Sequence, residues 1–222
     1  VLILVAIVCW VSCAPNEEQG PKMSVPYLTP EEQAETFVLP EGYRLELVVG
    51  DPIIKEPVAA VFDGDGRMYV AEMRSFMQNV EGTNQLVNNS VISLHWSSER
   101  NGIFDRHTVF ADKLVLPRMM LPLQDGLLVR ETGSEDFWLY CDLNDDGVAD
   151  EKIKIYEGDS DSGNIEHQSG GLIWNLDNWI YVTMSSQRFR LRGTNVLVET
   201  IPSNGGQWGL SHDDYGKQWF VN

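Results

Sequence analysis

The residues best suited to chemistry sit in one stretch, "EHQSGGLIWNLDNWIYVTMSSQRFR", from Glu166 to Arg190. His167 is one of four histidines in the chain and stands just before a glycine pair and a β-forming run. Gln187, Arg188 and Arg190 follow that run. An imidazole titrates near neutrality and can take the proton of a hydroxyl within hydrogen-bond reach. The same residues also suit a blander arrangement, with a turn histidine satisfied by backbone groups and arginines on a solvated strand face.

A second constellation is "DLNDDGVAD", which sets Asp142, Asn144, Asp146 and Asp150 at positions 1, 3, 5 and 9 around Gly147 at position 6. That alternation wraps a hard cation such as calcium. Position 12 is Ile153 rather than glutamate, so the loop is not a full EF-hand. The alternative is an Asx-rich turn whose carboxylates accept from backbone amides. "FDGDGRMY", with Asp63 and Asp65, is too short for a cage and reads as a hairpin turn. His212 in "GLSHDDYG" reads as part of a turn network. No partner for His95 or His107 is visible in the sequence, and the tryptophans read as strand packing.

These residues need a scaffold, and internal repeats supply one. "SLHWSSERNGIFDRHTVFAD" aligns with "WLYCDLNDDGVADEKIKIYEG", so that Leu94, Gly102 and Asp105 fall on Leu139, Gly147 and Asp150. A second pattern recurs in "VAAVFDGDGRMYVAEM", "MMLPLQDGLLVRET", "GGLIWNLDNWIYVTM" and "GQWGLSHDDYGKQWFVN". Each copy is an apolar strand, a turn of Asp, Asn or Gly, and another apolar strand. One hairpin type repeated with long connections is the signature of an all-β propeller built of four-stranded blades. The segment 41–222 holds about four such blades, read as part of a larger, six-bladed type. "YRLELVVG" alternates and is expected to form a strand.

Ahead of the propeller, "TPEEQAETF" gives a short helix signal: Thr29 as N-cap, Pro30 first, Glu31 and Glu32 in the first turn. Residues 14–40 thus form a tether with a short helix. Residues 1–13, "VLILVAIVCWVSC", are too short to span a bilayer and fit the core of an export signal. Their end resembles a lipoprotein box with Cys13 as the lipidated residue, although Trp10 departs from it. An ordinary signal peptide or a short anchor would also fit. The expected location is the periplasm or cell envelope, with attachment to the membrane through lipid. Once Cys9 and Cys13 are set aside, Cys141 is a lone structural thiol.

Across 222 residues, 33 acidic side chains outnumber 16 basic ones, a formal charge of −17. Nucleic acid is therefore excluded as a partner, since phosphate binding needs a basic footprint. There is no Walker loop, no nucleophile elbow and no C-x-x-C-H haem motif.

The segment His167-Gln168-Ser169-Gly170, then Leu172-Ile173, Asp177, Ile180-Tyr181 and Gln187, resembles the catalytic segment of soluble quinoprotein glucose and sorbosone dehydrogenases. The resemblance implies His167 as general base towards a sugar or alcohol, with Gln187 and Arg188 as contacts to pyrroloquinoline quinone. Arg188 is carried over although the glycine expected after the glutamine is absent. Arg74, after "YVAEM", is a further candidate cofactor contact. Nearly the whole chain is also similar to the predicted membrane-bound dehydrogenases of Planctomycetes and Verrucomicrobia. The motifs are "TPEEQAETFVLPEGYRLELVVGDPIIKEPVAAVFDGDGRMYVAEMR", "FDRHTVFADKLVLPR", "DLNDDGVADEK", "GLIWNLDNWIYVTMSSQRFR" and "GQWGLSHDDYGKQWF". That likeness implies an exported dehydrogenase passing electrons to a cytochrome c, with haem c only if a C-terminal region beyond this chain carries it. The competing expectation is a non-catalytic propeller that binds carbohydrate or a protein partner.

Overall fold

A computed structural model describes residues 27–124, 126–160, 163–193, 195–207 and 209–221. The lipobox expectation at Cys13 lies outside the described residues. The chain divides into two compact units, Val1–Leu45 and Glu46–Asn222.

In the first unit, α1 spans Pro30–Glu35 and starts as its sequence dictates. The Thr29 hydroxyl accepts from the Glu32 amide at 3.2 Å, and the Glu32 carboxylate accepts from the Thr29 amide at 2.8 Å. This closes a capping box over two amides that a helix start leaves unmet. Among the described residues no helix is long and apolar enough to cross a membrane.

The second unit is all-β and antiparallel. The first sheet holds β1 (Pro57–Phe62), β2 (Met68–Glu72), β3 (Ser90–Trp96) and β4 (Arg106–Leu114). The second holds β5 (Pro117–Leu123), β6 (Gly126–Glu131), β7 (Phe137–Cys141) and β8 (Glu151–Tyr156). The third holds β9 (Ile173–Trp174), β10 (Ile180–Tyr181), β11 (Gln187–Arg192) and β12 (Asn195–Thr200). A last hairpin pairs β13 (Leu210–His212) with β14 (Gln218–Phe220). Each four-stranded sheet is a meander in chain order. The four hairpins read from the sequence are the first two strands of these four groups.

The turn chemistry repeats with them. Asp63, Asn175 and Asp213 open their turns by bonding the carbonyls of Arg67, Trp179 and Lys217. The third turn residue after each opener takes a positive φ, at Gly66 (80°), Asn178 (62°) and Gly216 (79°). Glycine and asparagine are the residues that tolerate this. The other repeat holds equally well: the Ser98 amide bonds Asp105 at 2.7 Å, and the Leu143 amide bonds Asp150 at 2.8 Å. Both loops join the third strand of a sheet to its fourth.

The core lies between sheets. Tyr69, Ile92, Leu94 and Phe110 of the first sheet meet Met120, Leu127 and Val129 of the second. Met119, Leu128 and Phe137 on the other face of the second sheet meet Ile180, Val182 and Phe189. The second sheet is therefore buried on both faces, which is why "GLLV" reads as an unbroken apolar run rather than an alternation. Phe137 and Phe189 seal the second interface edge to face, with centroids 4.8 Å apart.

The expected strand "YRLELVVG" does not form, and this expectation is corrected. Residues 43–50 are extended but join no ladder among the described residues, and Leu45, Leu47 and Val48 are about half exposed. Alternation makes a strand only where a sheet edge accepts its amides. The tryptophans meet the expectation in part: Trp96 and Trp138 pack against the core from their strands. Trp174 and Trp219 are substantially exposed, and Trp179 lies in a turn with Arg188 and Arg190 stacked on its ring at 4.5 and 4.2 Å.

Candidate functional site

In a meander, the connections after the first and third strands lie at one end of the sheet. Those after the second strand, and those leading to the next sheet, lie at the other. His167 is at this second end, in the segment that leads from β8 into β9. Here the first strands of the sheets face a cavity of about 470 Å³, walled by Ala59 and Val61 of β1 and by Arg118 and Met120 of β5. Glu166, Leu172 and Gln207 complete the wall from the connections before β9 and β13.

The segment is shaped by a 3-10 turn over Ile165–His167, opened by Asn164, whose side chain accepts from the Glu166 amide. His167 is exposed, follows the lining residue Glu166, and its Nδ1 contacts the side-chain amide of Gln207, which lines the cavity. Gln168 turns the other way and is 5% exposed. Its Oε1 accepts from Arg118 Nη1 at 3.0 Å and from the Gly133 amide at 3.1 Å. Arg118 Nη1 also donates to the Ile165 carbonyl at 3.0 Å. Further on, the Gly170 amide donates to the Thr183 hydroxyl at 2.7 Å, and the Thr183 amide donates back to the Gly170 carbonyl at 3.0 Å. In "HQSG" the glutamine and glycine therefore fix the backbone, and the histidine is what the turn presents.

The orientation of Gln207 decides the chemistry. Its amide nitrogen faces Nδ1 and also reaches the Glu166 carbonyl at 3.5 Å. A donor at Nδ1 puts the proton of a neutral imidazole on Nε2, making that nitrogen a donor to a ligand oxygen. With the Gln207 amide turned over, Oε1 would accept from Nδ1–H, and Nε2 would offer a lone pair. The imidazole thus acts as acid or as base according to which Gln207 atom faces Nδ1.

The other residues singled out in the sequence are placed as follows. The Arg74 guanidinium is paired with the fully buried Glu72, at 2.8 and 3.1 Å. Gln187 accepts from the Tyr156 hydroxyl at 3.3 Å. Arg188 bonds Glu199 at 2.8 Å, Asp177 at 3.1 Å and the Tyr181 hydroxyl at 3.0 Å. None of these three lines the cavity beside His167. Arg118, Gln168 and Gln207 do the positioning there, and sequence reasoning passed over them. The visible signal for Arg118 was a lone charge inside the apolar strand "LPRMML". Gln207 carried none, being far from His167 in sequence.

In the loop around Gly147, Asp142 accepts from the amides of Asp146 and Gly147, at 3.2 and 2.8 Å. Asn144 and Asp146 accept from the amides of Asp146 and Val148. Asp150 takes the Leu143 amide. Among the described residues no three His, Cys, Asp or Glu side chains gather as a metal site. His212 Nδ1 bonds the Asp213 carbonyl at 2.9 Å, and the Asp213 carboxylate takes the amides of Tyr215 and Lys217, a turn network as expected. His95 is buried, bonds Ser93 Oγ at 2.9 Å and stacks on His107.

A quinone bearing several carboxylates needs several cations on the wall. Arg118 is the cavity's one cation among the described residues, and Glu166 adds an anion. These residues alone do not fit that cofactor.

A family model described as a domain of unknown function, DUF7133, matches residues 29–222. No curated protein matches the sequence. Among solved structures, the chain is similar to a gluconolactonase from Xanthomonas campestris at 14% identity and a TM-score of 0.52, over 78% of this chain and 56% of that one. A candidate gluconolactonase from a structural-genomics programme matches at 14% identity and a TM-score of 0.48, over 75% and 54%. The chain spans about half the length of these structures, and at such identity the likeness is one of fold.

Proposed function

We propose that this chain, which belongs to the DUF7133 family, is part of an exported β-propeller enzyme that acts on a hydroxyl of a sugar or alcohol, with His167 as its acid–base residue. The carrying observation is the His167–Gln207 pair, whose Gln207 lines a cavity of about 470 Å³ walled by β1 and β5, the first strands of two successive sheets. Such convergence puts ligand-facing side chains on rigid strands and leaves the specificity to connections. Propeller closure as a six-bladed ring, lipid attachment through Cys13 and a cytochrome c partner belong to the same reading.

His167 would take the hydroxyl proton on Nε2 while Nδ1–H donates to Gln207 Oε1. Gln168 and Arg118 keep the turn fixed while the imidazole changes charge. The reading is dehydrogenation, whose hydride acceptor the resemblance identifies as pyrroloquinoline quinone. The described wall offers that cofactor Arg118 alone, so the remaining cations would come from other parts of the protein.

The second reading is a propeller that binds carbohydrate or a protein partner without turnover. A Gln207 nitrogen at Nδ1 favours it, because Nε2 would then carry the proton of a neutral imidazole and donate to a ligand. The two separate in one experiment on the full-length protein. Pyrroloquinoline quinone is added with calcium, and dye reduction is followed over sugars and alcohols. Quinone-dependent turnover supports the enzyme, and folded protein with no turnover on any substrate supports the binding propeller.

A further inference from the structure

We propose that the end of the sheets opposite His167 carries a separate binding site for a neutral sugar unit. Arg67 of the β1–β2 turn, Trp96 at the close of β3, Phe104 in the following loop and Asp145 of the β7–β8 loop enclose a cavity of about 510 Å³. That volume lies within the range of small-molecule sites, about 300–1,000 Å³. The pocket is built across two sheets: Arg67 is held by Asp63 at 2.7 Å and bridges to Asp145 at 3.0 Å.

Three groups on its wall are left to a ligand. The Trp96 indole N–H, the Arg100 guanidinium and the Asp65 carboxylate make no hydrogen bond or ion pair among the described residues. Trp96 is itself anchored, since it packs against the core between the first two sheets. The site therefore offers a fixed aromatic surface, a free planar donor and a free acceptor.

The mixture selects the ligand class. A cation would meet Arg67 and Arg100, and an anion would meet Asp65, Asp145, Asp146 and the field of a chain of net charge −17. An apolar ligand would leave the polar groups stripped of water and unmet. A neutral sugar satisfies all three requirements. Its C–H face lies on an aromatic ring, and its hydroxyls accept from the guanidinium and indole while donating to the carboxylate. This site is independent of the catalytic reading, because no residue of the His167 cavity contributes to it.

The test uses the full-length protein titrated calorimetrically with glucose, cellotriose and maltotriose. The variants are Arg100→Ala, Asp65→Asn and Trp96→Phe, with circular dichroism to confirm folding. Trp96→Phe keeps a ring on the core and removes the indole N–H together with part of the aromatic surface. Saturable binding is expected, weakened roughly tenfold by Arg100→Ala and by Asp65→Asn, the size of one lost polar contact. His167→Ala should leave it unchanged. A trisaccharide preferred over glucose would mark a polysaccharide as the source, and equal affinities a free sugar. Absence of saturable binding, binding untouched by all three variants, or binding lost in His167→Ala would each overturn the proposal.

Discussion

Gln168→Met removes the clasp beneath His167 while nearly preserving side-chain volume. In the native chain the buried Oε1 accepts from Arg118 at 3.0 Å and from the Gly133 amide at 3.1 Å. A bond from a charged donor contributes about 1.5–3 kcal/mol and a neutral one about 0.5–1.5. Arg118 keeps its bond to the Ile165 carbonyl, so the lower half of that range applies, and the expected loss is about 2–3 kcal/mol. Urea denaturation should show a lower midpoint at an unchanged slope, and hydrogen exchange at the Gly133 amide should quicken. A second variant sharpens the test. Removing both partners with Arg118→Met and Gln168→Met should cost less than the two single losses combined, because their shared bond is then lost once rather than twice. A midpoint unchanged in Gln168→Met, with Gly133 protection intact, would refute the claim that this residue fixes the turn.

Three other expectations follow from the packing. Leu128 is fully buried between the second and third sheets, so Leu128→Ala should cost about 2–5 kcal/mol in denaturant unfolding. Burial, and next the charge of His107, hold the His95 pKa below its ordinary value. Its stabilising contribution is therefore full above the unfolded value of about 6.5 and falls as pH drops towards the folded one, by at most about 1.4 kcal/mol per pH unit, a slope that His95→Gln should flatten. Trp179→Ala should cost about 1–2 kcal/mol through the loss of both stacked arginines, read by thermal unfolding.

Much of the fold could be read from the sequence, because its signals are local. A turn opened by Asp or Asn with Gly or Asn three residues later needs no tertiary information, and neither does the recurrence of Asp105 at Asp150. Thr29 with Glu32 announces its helix for the same reason. The failures are all questions of partners. "YRLELVVG" has a strand's alternation without an edge to join. Arg188 looked available in sequence, yet its partners Asp177 and Glu199 come from the preceding turn and the neighbouring strand. The acidic loop could cage a cation or cap its own amides with the same residues; the amide bonds are present, and they are compatible with both. At the candidate site, the turn that presents His167 was legible from its motif. The neighbour that sets its tautomer was not, because Gln207 is brought to it by the start of the next hairpin.

The central claim is tested most directly by the pH dependence of kcat for the full-length protein on its best sugar or alcohol, with His167→Ala and Gln207→Ala alongside. The account predicts that His167→Ala lowers kcat about 10²–10⁴-fold with substrate binding retained. It also predicts that Gln207→Ala shifts the pH profile without abolishing turnover. Turnover unaffected by His167→Ala, with the same pH profile, would contradict it.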